Sequence, residues 1–261
     1  MREIVFLVLA EVLVHTASNL RFGPEIGLGQ IKTNAPVLTN WLAAIRTMAD
    51  DIRKFSRNDR IMSRAIAGDS RMLLEKVDPE AIDAVITSPP YPNEKDYTRI
   101  TRLESVVLGF IKNKMELRNL KNSMVRSNTR TVYKSDDDDK WVEQMPEVQR
   151  IAAEIEERRK TLGKTSGFER LYHRVVKLYF GGMARHLSEM RTVLKPGAKL
   201  VYVVGDQASY LRVMIRTAKI LGDLAETLGY KVVRTDLFRT RIATATKEQL
   251  REEALILKWQ G

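Results

Sequence analysis

Asp83-Ala84-Val85-Ile86-Thr87-Ser88-Pro89-Pro90-Tyr91 is the stretch on which the reading of this chain turns. Ala81 to Thr87 is a short apolar run with β-branched residues, the pattern of a buried strand. It runs straight into Ser88-Pro89-Pro90-Tyr91. Two successive prolines fix φ twice and remove two backbone donors. The strand end therefore presents acceptors: the Ser88 hydroxyl and the carbonyls of Ser88, Pro89 and Pro90, with the Tyr91 ring at the edge. Such a place suits an amino group on a flat ring, whose N–H donors meet fixed acceptors while the ring finds a stacking partner. The plainer alternative is a turn after a strand. In open α/β sheets ligands bind beyond the carboxyl ends of strands, and a second strand end, Gly68-Asp69, lies about twenty residues upstream; together these favour a site.

Outward from this stretch the chain alternates strands and helices. Arg64 to Ala67 reads as a short strand ending at Gly68-Asp69-Ser70, and Arg71 to Lys76 as a helix. Downstream, Tyr172 to Val193 reads as a long helix, Leu194 to Gly197 as a turn and Lys199 to Val204 as an apolar strand ending at Gly205-Asp206. Leu211 to Leu228 reads as a helix ended by Gly229, with strands at Lys231–Asp236 and Glu253–Trp259. Helices alternating with short apolar strands specify an α/β doubly wound sheet. Residues 105–170 differ, being rich in Lys, Arg, Glu, Asn and Met; Val107 to Val125 and Val148 to Lys160 read as helices. Between them Asp136-Asp137-Asp138-Asp139-Lys140 reads as a solvated loop. Residues 2–18 and Val37 to Phe55 read as helices, joined by the glycine-rich loop Phe22 to Gly29. The apolar N-terminal run Ile4–Val14 is interrupted by Glu11 and is too short to span a bilayer, so it reads as a buried amphipathic helix rather than a leader.

The formal net charge of +11 points to a polyanionic partner, most simply nucleic acid. There is no cysteine, which excludes disulfides and thiolate zinc sites and fits a reducing cytoplasm. Three scattered histidines argue against a His-rich metal site, and no metal is expected.

Asp83 to Tyr91 resembles the catalytic motif of the amino-DNA methyltransferases. Ala67-Gly68-Asp69-Ser70 resembles the family's preceding cofactor-side strand. Val193 to Gly197 followed by Lys199 to Asp206 resembles the next helix-to-strand unit, and Glu252 to Lys258 the closing strand. The likeness spans residues 61–104 and 172–260. It implies a Rossmann-like class I methyltransferase sheet, S-adenosylmethionine as cofactor and DNA as substrate. Ser88, Pro89 and Pro90 would hold the target amine and Tyr91 would stack on a base flipped out of the duplex. Gly68, Asp69 and Ser88 would face the cofactor, Asp69 near its adenosine. In this family the Ser-Pro-Pro-Tyr form leans to N4 of cytosine and the Asp-Pro-Pro-Tyr form to N6 of adenine. RNA or a protein glutamine as substrate, or a non-catalytic nucleic-acid-binding subunit, are the alternatives.

The division expected is an N-terminal helical segment at 1–60, a catalytic core at 61–104 and 171–261, and a helical insertion at 105–170. The insertion, with Arg126 and Arg130, reads equally as a target-recognition region or a solvated hairpin. Asn93, Lys95, Tyr97 and Arg99 are expected on a mobile loop that orders around nucleic acid. The family's glycine-rich cofactor loop has no counterpart here; Phe22 to Gly29 is a poor substitute. Without the central strands that flank that loop, the sheet would have unpaired backbone groups. A second polypeptide supplying the first strands and the loop is therefore expected.

Overall fold

The computed structural model describes residues 2–22, 26–55, 62–243 and 246–261. It divides into two compact units, residues 1–66 with 96–122, and residues 67–95 with 123–261. The expected insertion at 105–170 is thus no single body: its first part belongs with the N-terminal helices and its remainder with the sheet. The expected boundary at 60/61, and Gly23, Pro24 and Glu25 of the glycine-rich loop, lie outside the described residues.

The first unit is helical. It contains α1 (Arg2–Val12), β1 (Leu20–Arg21), β2 (Gly27–Leu28), α2 (Val37–Phe55), α3 (Tyr97–Ile100), α4 (Arg102–Val107) and α5 (Lys114–Asn122). α1 buries Val8, Ala10 and Val12; Val8 and Val12 share a face and Ala10 lies on the opposite one, so the helix is covered on two sides rather than along a single amphipathic stripe. The Trp41 indole N–H donates to the Val5 carbonyl at 3.1 Å, tying α2 to α1. The glycine-rich loop is flanked by a minimal antiparallel pair, Leu20 against Leu28 and Arg21 against Gly27, which supports a structural role. The helix expected over Val107 to Val125 is broken. Gly109 takes φ +80°, a conformation glycine adopts without a Cβ clash, and the helix resumes only at Lys114. No described helix is long and apolar enough to cross a membrane.

The second unit holds β3 (Ile82–Thr87), α6 (Pro146–Thr161), α7 (Tyr172–Val193), β4 (Leu194–Gly205), α8 (Thr217–Thr227), β5 (Tyr230–Ile242) and β6 (Gln249–Trp259). Its strands form one mixed sheet in the order β3-β4-β6-β5. β3 runs parallel to β4, and β6 lies antiparallel between β4 and β5. The class is the expected α/β, Rossmann-like arrangement, with α7 joining two adjacent parallel strands. Alternation along β4 buries Leu200, Tyr202 and Val204 in the core with Leu255 and Leu257 of β6. α7 contributes Val175, Tyr179, Phe180, Met183 and Leu187 to the same core, and α8 Ile220, Leu221 and Leu224.

The other sheet face is built differently. Ile86 is opposite Val201, and Val201 is opposite Ile256, so these three side chains share a face. Ile86 is 82% exposed. β3 is also an edge strand, although parallel strands are ordinarily covered on both faces and paired on both sides. The strand expected at Arg64 to Ala67 does not form: residues 62–67 are irregular and exposed. A lone four-residue segment without a paired neighbour cannot satisfy its backbone as a strand. The helix expected over Arg71 to Lys76 shortens to one 3-10 turn, Leu73–Glu75, and the turn expected at Leu194 to Gly197 is the start of β4.

Candidate active site at the carboxyl end of the parallel strands

β3 ends at Thr87, opposite Tyr202, and β4 runs on past it to Gly205. The chain leaves β3 at Ser88, whose hydroxyl donates to the Val203 carbonyl at 3.0 Å. This bond fixes the first turn past the strand to its neighbour, while Ser88 itself stays exposed. The Tyr91 hydroxyl donates to Glu252 of β6 at 2.7 Å, and Glu252 is also paired with Arg239 of β5. Burial would raise the Glu252 carboxyl, but its bonds to Arg239 and Tyr91 hold it below the usual carboxylate range. The Tyr91 ring lies over Gly205, where an added Cβ would sit 3.2 Å from the ring. Glycine at the end of β4 thus makes room for the tyrosine. The Ser88–Tyr91 segment is clamped at both ends, with the two prolines between the clamps.

Gly68 and Asp69 hang on a different anchor. The Asp69 carboxylate accepts from the Arg71 backbone N–H and Nε, each at 2.9 Å, and from its terminal nitrogen at 2.6 Å. Arg71 reaches on to Asp138 at 2.5 Å, and Arg185 of α7 lies 3.4 Å from the same carboxylate. Burial would raise the Asp69 carboxyl, yet the Arg71 hydrogen bonds and charge bring it below its ordinary value. The His186 ring, on α7, hydrogen-bonds the Ser70 carbonyl at 2.9 Å through Nδ1 and the Tyr202 hydroxyl at 2.8 Å through Nε2. The Gly68–Arg71 segment is thereby fixed by side chains where no strand ladder holds it.

The acidic run departs from expectation. Asp138 is 4% exposed and Asp136 pairs with Arg126 at 2.7 Å; Asp137 keeps the solvated character foreseen for the whole run. The run packs at Gly181-Gly182 of α7, where a Cβ on Gly181 would collide with the Asp138 carbonyl. Sequence reasoning missed this because alternate members of a charge run point opposite ways. The glycine pair inside an otherwise good helix was the available signal.

Two residues expected to touch nucleic acid are occupied inside the protein. Arg126 is 4% exposed; it donates twice to Asp136 and once to the Met124 carbonyl, and its guanidinium lies over the Tyr133 ring. Asn93 is 7% exposed, with its amide 3.5 Å from Gln207 and its oxygen accepting the Lys95 N–H at 3.0 Å. Both side chains are thus buried and engaged within the protein, Arg126 by a carboxylate and a carbonyl and Asn93 by weaker contacts. Lys95 and Arg130 are exposed in the sheet unit. Tyr97 and Arg99 are exposed on α3 of the helical unit. The loop between the two groups is therefore short: residue 96 already caps α3, with Asp96 accepting the Thr98 N–H at 3.0 Å. No group of three or more His, Cys, Asp or Glu suited to a metal occurs among the described residues.

The site these residues define is an acceptor-rich strand end on an α/β sheet. No family model matches the chain. Its curated relatives are type II methyltransferases. It is 30% identical over 172 residues to the type II methyltransferase M.AvaI of Nostoc sp. (strain PCC 7120 / SAG 25.82 / UTEX 2576), covering 61% of this chain and 33% of that protein. To the type II methyltransferase M.BsoBI of Geobacillus stearothermophilus it is 25% identical over 233 residues, covering 84% of this chain and 45% of the relative. The chain thus spans less than half the length of these relatives. Among solved structures, a Thermus thermophilus protein provisionally described as a DNA modification methylase aligns with 75% of this chain and 54% of its own. The identity is 15% and the TM-score 0.37, and that crystal form contains S-adenosyl-L-methionine.

Proposed function

We propose that this chain carries the catalytic face of a DNA methyltransferase that uses S-adenosylmethionine to methylate an exocyclic amino group, N4 of cytosine in preference to N6 of adenine. The observation that carries the reading is the doubly clamped Ser88–Tyr91 segment at the carboxyl end of β3. The likeness to type II methyltransferases supports it. When bound, the cofactor supplies a methyl carbon activated by its sulfonium. The carbonyls of the Ser88–Pro90 segment accept the N–H bonds of the amine and hold its lone pair toward that carbon. Electron density drawn to the nitrogen by these acceptors would favour its attack on that carbon, and the same carbonyls or water would take up the amine proton. Positioning and fixed dipoles supply the rate, with no covalent enzyme intermediate. Tyr91 supports the base, and Gly68, Asp69 and Ser88 form one wall for the cofactor. The three hydrogen bonds that Asp69 accepts from Arg71 hold that group as a rigid boundary, with one lone-pair direction left for a ribose hydroxyl.

The same reading includes a second polypeptide that carries the glycine-rich loop and pairs with the free edge of β3. Its support is the parallel edge strand, the 82% exposure of Ile86 and the irregular 62–67 segment. Calorimetric titration with S-adenosylmethionine, on this chain alone and with the product of the adjacent gene, tests it. Binding only in the second case is expected; tight binding to the isolated chain would overturn the need for a partner.

A further inference from the structure

Beside the clamped segment lies a cavity of about 450 Å³ whose walls include Tyr172, Gln207, Ser209, Arg212 and Arg241. Gln207 is the link between the two places. It lines the cavity, its amide donates to the Gly205 carbonyl at 3.3 Å, and its oxygen faces Asn93 at 3.5 Å; Gly205 is the residue on which Tyr91 packs. The cavity therefore opens past the carboxyl end of β4, close to the proposed amine site, where ligands of α/β sheets collect.

Its chemistry is specific. Neither Arg212 nor Arg241 makes an ion pair or side-chain hydrogen bond with the described residues, whereas Arg71, Arg126 and Arg216 are engaged by carboxylates. Arg241 feels the charge of Glu252, but that carboxylate is bonded to Arg239 and Tyr91. The one acid in the wall, Glu169, faces Lys164 at 3.7 Å. Both guanidiniums keep their donors for a ligand. Tyr172 adds an aromatic wall, its ring 4.9 Å from that of Tyr210. The loop bearing Arg212 is rigid. Gln207 and Ile215 exchange backbone hydrogen bonds at 3.0 and 2.7 Å, and Arg158 donates to the Leu211 carbonyl at 3.1 Å. Within that loop Leu211 and Arg212 take φ of +53° and +65°, left-handed conformations that neither side chain favours. Strain of this kind persists only where its surroundings enforce it.

We infer that this cavity takes a nucleotide of the DNA strand next to the target base, its base against Tyr172 and its phosphates between Arg212 and Arg241. Paired guanidiniums suit phosphate, and aromatic walls suit any base. The inference rests on the DNA reading above and adds a second nucleotide position to it.

The test is fluorescence anisotropy of a labelled mixed-sequence DNA duplex, titrated with the full chain across a salt series. Replacing both Arg212 and Arg241 by alanine is expected to weaken binding at least tenfold and to lower the salt slope by about two, near 0.9 per lost phosphate contact. Arg212→Lys with Arg241→Lys should keep most of the slope. Arg150→Ala, which removes an exposed arginine paired with Glu147 and Glu154, should leave it unchanged. An unaltered slope in the double alanine variant overturns the nucleotide site and leaves the proposed function standing. A slope lost equally in the lysine variant, with a lowered melting temperature, overturns it as a fold defect. No DNA binding by the unsubstituted chain, either alone or with the second polypeptide, overturns both.

Discussion

Replacing Asp138 by asparagine should destabilise the sheet unit by about 3 kcal/mol. Its carboxylate is 6% exposed and faces Arg71, itself 7% exposed, at 2.5 Å, with Arg185 at 3.4 Å. Breaking a buried pair from one side costs ~3–5 kcal/mol, because the remaining charge is stranded. Arg71 retains both oxygens of Asp69, which places the loss at the lower end. For a unit of this size, each kcal/mol lowers Tm by ~2–4 °C, so a fall of about 6–12 °C is expected. The comparison is Asp137→Asn in the same run, where the carboxylate is 63% exposed and paired with exposed Lys140; that change should stay within about 0.5 kcal/mol. Thermal and urea unfolding followed by circular dichroism measure both. Equal melting temperatures for the two variants would refute the assignment of Asp138 as a buried anchor.

Ser88→Ala removes one exposed hydrogen bond and should cost under about 1 kcal/mol, while methyl transfer by the assembled enzyme falls more than about a hundredfold; matched melts and radiolabel assays check the split. Tyr91→Phe keeps the ring over Gly205 and loses the Glu252 bond, for a cost of about 1 kcal/mol in urea unfolding. Gly181→Ala should be far more damaging than Gly182→Ala, since its methyl meets the Asp138 backbone, and soluble yield and melting temperature read the difference. Burial holds the His186 pKa below its ordinary value. The unfolded chain therefore takes up the proton first, so this histidine's contribution is complete above about pH 6.5 and is lost as pH falls below it, by at most ~1.4 kcal/mol per unit. Urea midpoints compared between neutral and mildly acidic pH should show that slope, and His186→Gln should flatten it.

The α/β character and the placement of the clamped segment were legible in the sequence because they rest on local pattern. β3, α7 and the strands around Gly205 and Trp259 are set by apolar periodicity and by Pro and Gly punctuation. The short strand at Arg64–Ala67 was misread because strand formation depends on a neighbour, and pattern alone does not reveal whether one is present. Val107 to Val125 was misread because Gly109 and Asn113, where the helix breaks and restarts, were outvoted by the surrounding helix formers. Arg126 and Asn93 looked like nucleic-acid contacts because charge and polarity mark the surface on average. Their partners, Asp136 ten residues away and Gln207 on the far side of α7 in the sequence, are joined to them by the fold. The cavity at Tyr172, Arg212 and Arg241 draws on three distant segments and had no sequence signature.

The most direct test of the proposed activity is transfer of tritiated methyl from S-adenosylmethionine to DNA, using this chain with the adjacent gene product and hydrolysing the DNA to identify the labelled base. Label is expected on an exocyclic amine, chiefly as N4-methylcytosine, and should disappear with Ser88→Ala and Tyr91→Ala while the folded protein persists. DNA that stays unlabelled with the complete assembly, or labelling that survives both substitutions, would contradict it.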